Sequence, residues 1–181
     1  NKEELGKLYP ITVVEYDSNW SLLFEKEKVI LRGILGPETA IRIEHIGSTA
    51  VPNLSAKPTI DILVEIPDDK TINDLITSKM YGNGYILMKE QKNHLMFVKG
   101  YSPTGLEKES FHIHMGSKKQ EWLWDRIYFR DYLRMNTDAA LEYAELKNNL
   151  AKIYRHDREA YTDNKSDFVI KTTELAKEKL K

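Results

Sequence analysis

The side chains best suited to chemistry lie in one stretch, residues 43–66. It runs as an apolar strand, a Gly47-Ser48 turn, a loop rich in proline and small polar residues, and a second strand that begins near Asp61. A glycine lets the backbone approach a ligand closely, and a serine hydroxyl with free N–H groups can bind a phosphate oxygen. A carboxylate on the next strand can bind a divalent cation. The stretch therefore predicts a phosphate site beside a cation site, or else a tight turn at the glycine and a turn cap at Asp61.

Two histidines on a later predicted strand, His112 and His114, are the next candidates. Alternation places both imidazoles on one face of the strand, which is the spacing of many His-x-His metal sites. With Asp61 from a neighbouring strand they would form a three-ligand cluster with open positions. Imidazole ligands favour zinc, copper, iron or nickel over magnesium. The alternative is that the histidines hydrogen-bond a substrate or a neighbouring carboxylate without metal.

Two charged residues flank the turn. Glu44 could approach Asp61 from the adjacent strand as a second catalytic acid, or it could form an ion pair with Arg42 or Lys57. Lys57 precedes Asp61 by four residues and could bind phosphate as a point charge. A solvated lysine beside a proline is the alternative interpretation.

A basic stripe is predicted on a helix near the middle of the chain, where Arg126, Arg130 and Arg134 recur every four residues. Guanidinium groups can recognise phosphate or carboxylate, so Arg130 and Arg134 are candidate phosphate ligands. The alternative is local pairing with Asp125 and Asp131 on a solvated face.

The elements that must position these residues change character along the chain. Alternating and helical apolar patterns predict strands first and helices afterwards. Strands are predicted at 11–16, on both sides of the turn, and at 85–88, 94–98 and 111–115, with helices at 18–35, 72–80, 120–135, 139–154 and 162–180. This order predicts an α+β fold, with a mixed sheet, flanking helices and a helical C-terminal region, in one domain over residues 1–181.

Composition limits the classes of partner. The 181 residues carry 27 Lys and Arg against 28 Asp and Glu, a formal charge of −1, so no overall field attracts the chain to nucleic acid or an anionic membrane. The absence of cysteine excludes disulfides, thiolate zinc sites and a cysteine nucleophile, and it fits a reducing compartment. With no apolar run long enough to cross a bilayer, the expected location is the cytoplasm.

Two resemblances follow from these motifs. Gly47-Ser48, twelve further residues and Asp61 resemble the signature of the nucleotidyltransferase superfamily that includes DNA polymerase beta. A longer match, from about Val14 to about Val169, resembles the GrpB family. It is carried by residues 44–52, Lys57-Pro58, 60–63, 112–114 and 129–134, and Tyr161 with Lys165 also match. The resemblance implies a nucleotidyltransferase-like fold and a nucleotide or other phosphorylated small molecule as ligand. Together with the candidate histidine ligands, it leaves Mg, Mn and Zn as compatible divalent cofactors.

The superfamily pattern has a second acid two residues after the first, and this chain has Leu63 there. Nucleotidyl transfer in the superfamily uses two cations held by three carboxylates. Glu65 cannot replace the missing acid, because four residues along a strand span about 13 Å.

Three functions therefore remain open. Carboxylates grouped near Asp61 would favour phosphoryl or nucleotidyl transfer, and a basic pocket with one acid would favour a non-catalytic binding module. A cluster of Asp61, His112 and His114 would favour a metal-dependent hydrolase.

Overall fold

A five-stranded mixed sheet forms the centre of the fold. The computed structural model describes residues 1–91 and 93–180. The strands are β1 (Arg42–Ile46), β2 (Thr59–Glu65), β3 (Ile86–Gln91), β4 (His94–Ser102) and β5 (Gly105–Gly116). Their order is β1-β2-β5-β4-β3, and within it β2 and β5 are parallel while the other neighbours are antiparallel.

Six α-helices accompany the sheet among the described residues. They are α1 (Lys2–Leu8), α2 (Asn19–Leu35), α3 (Asn73–Tyr81), α4 (Glu121–Met135), α5 (Thr137–Ile153) and α6 (Arg158–Leu180). The predicted order of strands followed by a helical C-terminal region is confirmed. Within the described ranges, no helix is both long and apolar enough to cross a membrane.

The two faces of β2 have different partners, because alternate side chains point to opposite sides of a strand. Ile62 and Val64 are fully buried in the main core, where they meet Trp20 and Leu31 of α2. Leu63 points the other way and packs with Ile46 of β1 and Leu123 of α4. Asp61 shares the parity of Leu63, so its carboxylate lies on the α4 side of the sheet.

The register brings the predicted site residues into adjacent positions. Asp61 is paired with Ile46 of β1 on one side and with His112 of β5 on the other. Leu63 is paired in the same way with Glu44 and His114.

The N-terminal segment differs from the prediction in two ways. The strand predicted at 11–16 is wrong, because its backbone bonds are scattered: the Ile11 N–H donates to the Arg155 carbonyl, and Val14 forms a single bridge with Ala56. Helix α1, which the prediction omits, begins with a capping box in which Asn1 and Glu4 bond reciprocally.

Candidate functional site

A cleft of about 540 Å³ lies on the α4 side of the sheet, with the ends of β1, β2 and β5 as its floor and α4, α5 and α6 as its walls. Six of the predicted site residues line it. They are Gly47, Ser48, Lys57, Asp61, His112 and His114.

Asp61 and His112 form a hydrogen-bonded pair on the floor of the cleft. The Asp61 Oδ1 atom lies 3.3 Å from His112 Nδ1, and His112 Nε2 lies 2.5 Å from the Tyr101 hydroxyl. Burial opposes ionisation of Asp61, but the hydrogen bond from His112 and the positive charge around it lower the pKa of the carboxyl to about 2. Asp61 is therefore a carboxylate at neutral pH, and both nitrogens of His112 are engaged.

Gly47 makes room for that carboxylate. Its φ is +73°, and a Cβ at this position would lie 2.5 Å from Asp61 Oδ2. The glycine is thus required twice, by the left-handed backbone and by the close approach of Asp61. Ser48 follows as the first residue of a short 3₁₀ turn, Ser48–Ala50, and its hydroxyl lies beside that of Tyr143.

Of the residues that the structure describes, five cationic side chains and one carboxylate line the cleft. The carboxylate is Asp61, and the cations are Lys57, Arg126, Lys147, Arg158 and Lys165. Within the described part of the chain, none of the five has a carboxylate oxygen within 4 Å.

Three of these cations come together around aromatic rings. The amines of Lys57 and Lys165 lie 5.2 and 4.8 Å from the centre of the Tyr161 ring. Lys147, only 2% exposed, donates to the Ser55 carbonyl at 2.5 Å and lies 4.7 Å from the centre of the Tyr143 ring. Carbonyl and ring contacts lessen the cost of burying an ammonium group without neutralising it.

Burial and mutual repulsion lower the pKa values of these lysines. Burial, reinforced by the charge of Lys165, lowers the pKa of Lys57 to about 8 and that of Lys147 to about 7. Burial also lowers the pKa of Lys165 and that of Arg126. Asp61 opposes each of these shifts without cancelling it. The cleft therefore has an excess of positive charge that the fold leaves unneutralised.

The predicted three-ligand metal cluster does not form. The His114 Nδ1 atom lies 3.2 Å from His94 Nε2, and the two imidazoles stack. Burial and the charge of Arg126 hold the pKa of His114 well below its usual range, so the ring is neutral. In the described ranges, no three His, Cys, Asp or Glu side chains are grouped to hold an ion. The residues present do not fit a metal bound by Asp61, His112 and His114 together.

Three other predicted site residues lie outside the cleft. Glu44 accepts from Arg130 Nη1 at 2.6 Å and from Arg42 Nε at 2.9 Å. Arg130 also donates to the His45 carbonyl at 2.9 Å. Arg134 Nε donates to the Ala50 carbonyl at 2.9 Å. These bonds hold the end of β1 and the turn after Gly47 against α4, which is a structural role.

The sequence profile of the family described as GrpB protein matches residues 10–175. The chain belongs to the GrpB family. It is 34% identical to the glutamate-rich protein GrpB of Alkalihalophilus pseudofirmus over 161 residues, covering 88% of this chain and 91% of that one. It is also 34% identical over 173 residues to the UPF0157 protein YqkA of Bacillus subtilis, covering 94% of this chain but only about half (49%) of YqkA.

Solved structures extend the comparison to the fold. The crystal structure of GrpB from Enterococcus faecalis matches with a TM-score of 0.80 and 33% identity, covering 93% of this chain and 99% of that chain. The Cid1 poly(U) polymerase bound to MgATP matches with a TM-score of 0.54 and 12% identity, covering 83% of this chain and 46% of that one. This GrpB protein therefore has the predicted nucleotidyltransferase-like α+β fold.

Leu63 occupies the position at which the superfamily pattern predicts a second acid. The side chain is 0% exposed and packs with Ile46 and Leu123 beneath α4. A carboxylate at this position would be buried among apolar groups at a cost of several kcal/mol. The position is closed to metal binding by packing as well as by residue type.

The sequence predictions missed part of the cleft of this GrpB protein. Lys147 and Arg158 are not among the predicted site residues, Arg126 is named only as part of the arginine stripe, and Lys165 only as part of the family resemblance. A usable signal is a repeated spacing, because Tyr143 with Lys147 and Tyr161 with Lys165 both place a lysine four residues after a tyrosine on one helix face.

Proposed function

We propose that this GrpB protein binds a phosphorylated small molecule, such as a nucleotide, in the cleft, and does so without requiring a metal ion. The observation that carries the proposal is the imbalance of charge: of the described residues lining the cleft, five are cations and one is a carboxylate. A buried charge is costly unless it is paired. A polyanionic ligand would supply the negative charge that these cations lack in the folded protein.

The lining residues supply complementary kinds of phosphate contact. Arg126 offers a planar fork of donors that matches two phosphate oxygens, and Arg158 offers its two Nη groups, because its Nε donates to the Tyr9 carbonyl at 2.9 Å. The lysines act as compact point charges. The Ser48 hydroxyl and the N–H groups of Ser48 and Thr49 at the start of the 3₁₀ turn add neutral donors, whereas the Ala50 N–H already donates to the Gly47 carbonyl.

Nucleotide binding is tested by calorimetry with adenosine triphosphate in the presence of EDTA. Lys165→Met should weaken binding at least tenfold, because it removes a charge that faces the ligand. Lys171→Met is the matched control, since this exposed lysine lies on the same helix outside the cleft. If the ligand fails to bind, or if both variants behave like the parent protein, the proposal is wrong.

Metal dependence is a separate question, which Asp61→Asn addresses. Without metal, the substitution should leave binding unchanged or tighten it, because a negative charge near phosphate is removed. With manganese, binding should weaken if a cation bridges Asp61 to the phosphate. Equal effects in the two conditions would exclude Asp61 as a metal ligand.

Phosphoryl or nucleotidyl transfer is the second candidate function, and the hydrogen bond between Asp61 and His112 favours it. A histidine oriented by a carboxylate can act as a general base. The acceptor hydroxyl would replace the Tyr101 hydroxyl at His112 Nε2, which would then accept its proton. The acceptor oxygen would bond to phosphorus as the bond to the leaving phosphate oxygen breaks. Release of phosphate or pyrophosphate from a bound triphosphate, lost in His112→Ala, would support transfer. A bound triphosphate that remains intact supports the binding module.

A further inference from the structure

Three lysines from three separate elements share one corner of the cleft. Lys57 lies in the loop before β2, Lys147 on α5 and Lys165 on α6, and we refer to them as the lysine triad. Lys57 and Lys165 both contact the Tyr161 ring, and Lys147 is fixed by the Ser55 carbonyl. Because each lysine is anchored by a different element, the folded protein holds the three amines close together whether or not a ligand is present.

The charged groups facing the triad do not balance it. Asp61 on β2 is the carboxylate that faces the triad, and its Oδ1 is already bonded to His112. Arg158 at the start of α6 adds repulsion at Lys57. The remaining titratable neighbours, Tyr143 and Tyr161, are neutral phenols whose pKa values are raised by burial. The three amines share a partly buried corner with one carboxylate that forms no ion pair with any of them, so burial and mutual repulsion lower their pKa values.

We infer that the lysine triad binds a ligand bearing at least two adjacent phosphate groups and takes up a proton from solvent when it does so. The inference rests on the proposed function. It adds that the ligand has at least two linked phosphates and that binding is coupled to proton uptake.

Charge balance argues for adjacent phosphates. Five cations against one carboxylate give the cleft a formal charge of 5 − 1 = +4 when every amine is protonated. A single phosphate group carries at most about two negative charges near neutral pH, so it would leave half of this excess buried and unpaired. The cations also project from four elements, and one phosphate group cannot contact them all. Two or three linked phosphates offer more oxygens, spread over a greater length, and more negative charge.

Proton uptake follows from the same crowding. The pKa of Lys147 lies at about 7 and that of Lys57 at about 8 in the free protein. A bound polyanion favours the charged amines and raises both pKa values. Between pH 7 and pH 9 the complex therefore holds more protons than the free protein does. Affinity should fall with rising pH by up to about tenfold per pH unit for each proton taken up.

The test is calorimetry at pH 8 in EDTA with three probes: inorganic phosphate, pyrophosphate and tripolyphosphate. Each titration is repeated in two buffers of different ionisation enthalpy, which gives the number of protons taken up. Pyrophosphate and tripolyphosphate should bind at least tenfold tighter than phosphate. Lys147→Met should reduce the proton count, and the comparison between variants cancels protons that the probe itself releases.

Lys152→Met, on the exposed side of α5, is the matched control and should leave the proton count unchanged. If Lys147→Met does not fold, Lys165→Met tests another lysine of the triad. The inference is overturned if phosphate binds as tightly as tripolyphosphate, or if triad variants take up as many protons as the parent. Either result leaves the proposed function intact, whereas failure of all three probes and of adenosine triphosphate to bind removes both.

Discussion

Two groups of basic side chains in this GrpB protein differ in the partners that the fold gives them. Arg130 contacts two carboxylates, Glu44 at 2.6 Å and Asp131 at 2.8 Å, and the fold satisfies it. Within residues 1–91 and 93–180, the lysine triad has carbonyl and ring partners but no carboxylate oxygen within 4 Å. The difference teaches that the spacing of basic residues along a helix does not identify a ligand site. What identifies it is a buried charge that the protein itself leaves unpaired.

Removing the satisfied cation should have the largest effect. Arg130→Met removes a donor from Glu44, Asp131 and the His45 carbonyl and leaves Glu44 with Arg42 alone. We therefore expect the free energy of unfolding to fall by about 3 kcal/mol. Urea denaturation measures the change. Arg134→Met is the control and should cost less, because that side chain is 39% exposed. A loss below about 1 kcal/mol for Arg130→Met would mean that the two groups do not differ as described.

Removing a cation that has no carboxylate partner should raise the free energy of unfolding. Lys147→Met replaces a buried ammonium group by an apolar side chain of similar length, so the ligand-free protein should gain about 1–2 kcal/mol of unfolding free energy while binding weakens. The same denaturation experiment and the calorimetry described above measure the two effects. A variant that is less stable than the parent contradicts the interpretation.

The pH dependence of stability sharpens the same contrast. The folded-state pKa values of Lys147 and Lys57, about 7 and about 8, lie below the value of 10.5 expected when unfolded. The unfolded chain therefore binds more protons, and the free energy of unfolding should rise with pH. Between pH 7 and pH 9 we expect a gain of about 2 kcal/mol from Lys147 and about 1 kcal/mol from Lys57. Lys147→Met should reduce the increase of unfolding free energy with pH, measured by urea denaturation at several pH values. An unchanged slope would contradict the lowered pKa of Lys147.

A neutral donor in the cleft should contribute least. Ser48→Ala removes one uncharged hydrogen bond to phosphate and should weaken binding by about 0.5–1.5 kcal/mol without altering the pH dependence. Calorimetry at pH 7 and pH 9 separates this pattern from that of the triad. A larger loss at one pH than at the other would assign Ser48 a role in the charged network.

Local patterns were sufficient to predict the parts of the site that lie on strands. Asp61, His112 and His114 share parity on neighbouring strands, so alternation alone placed them at one cleft. The hydrogen-bond partners of the two histidines could not be predicted from this alternation. His94 bonds to His114 and Tyr101 bonds to His112 across the β4–β5 pairing, which depends on the register of the two strands.

The helical wall was harder to predict, for a physical reason. Lys147 and Arg130 are both basic residues on amphipathic helices, and their local sequences do not specify which face meets the sheet. Tertiary docking decides that, and it turns Lys147 toward the cleft and Arg130 toward Glu44. The failed strand at 11–16 has a similar origin, since an apolar run there packs as an extended segment without a sheet neighbour.

The parallel pairing of β2 with β5 has a consequence for the order of folding. It joins positions far apart in the chain, such as Thr59 and Ser110, which are separated by 51 residues. The β4–β5 hairpin closes over a turn of a few residues and should form on the microsecond scale, whereas the long closure carries a larger entropic cost. Asp61 meets His112 only when that closure is complete. In a refolding experiment we therefore expect strand signals to precede the recovery of ligand binding, which makes binding a kinetic marker for the last stage of assembly.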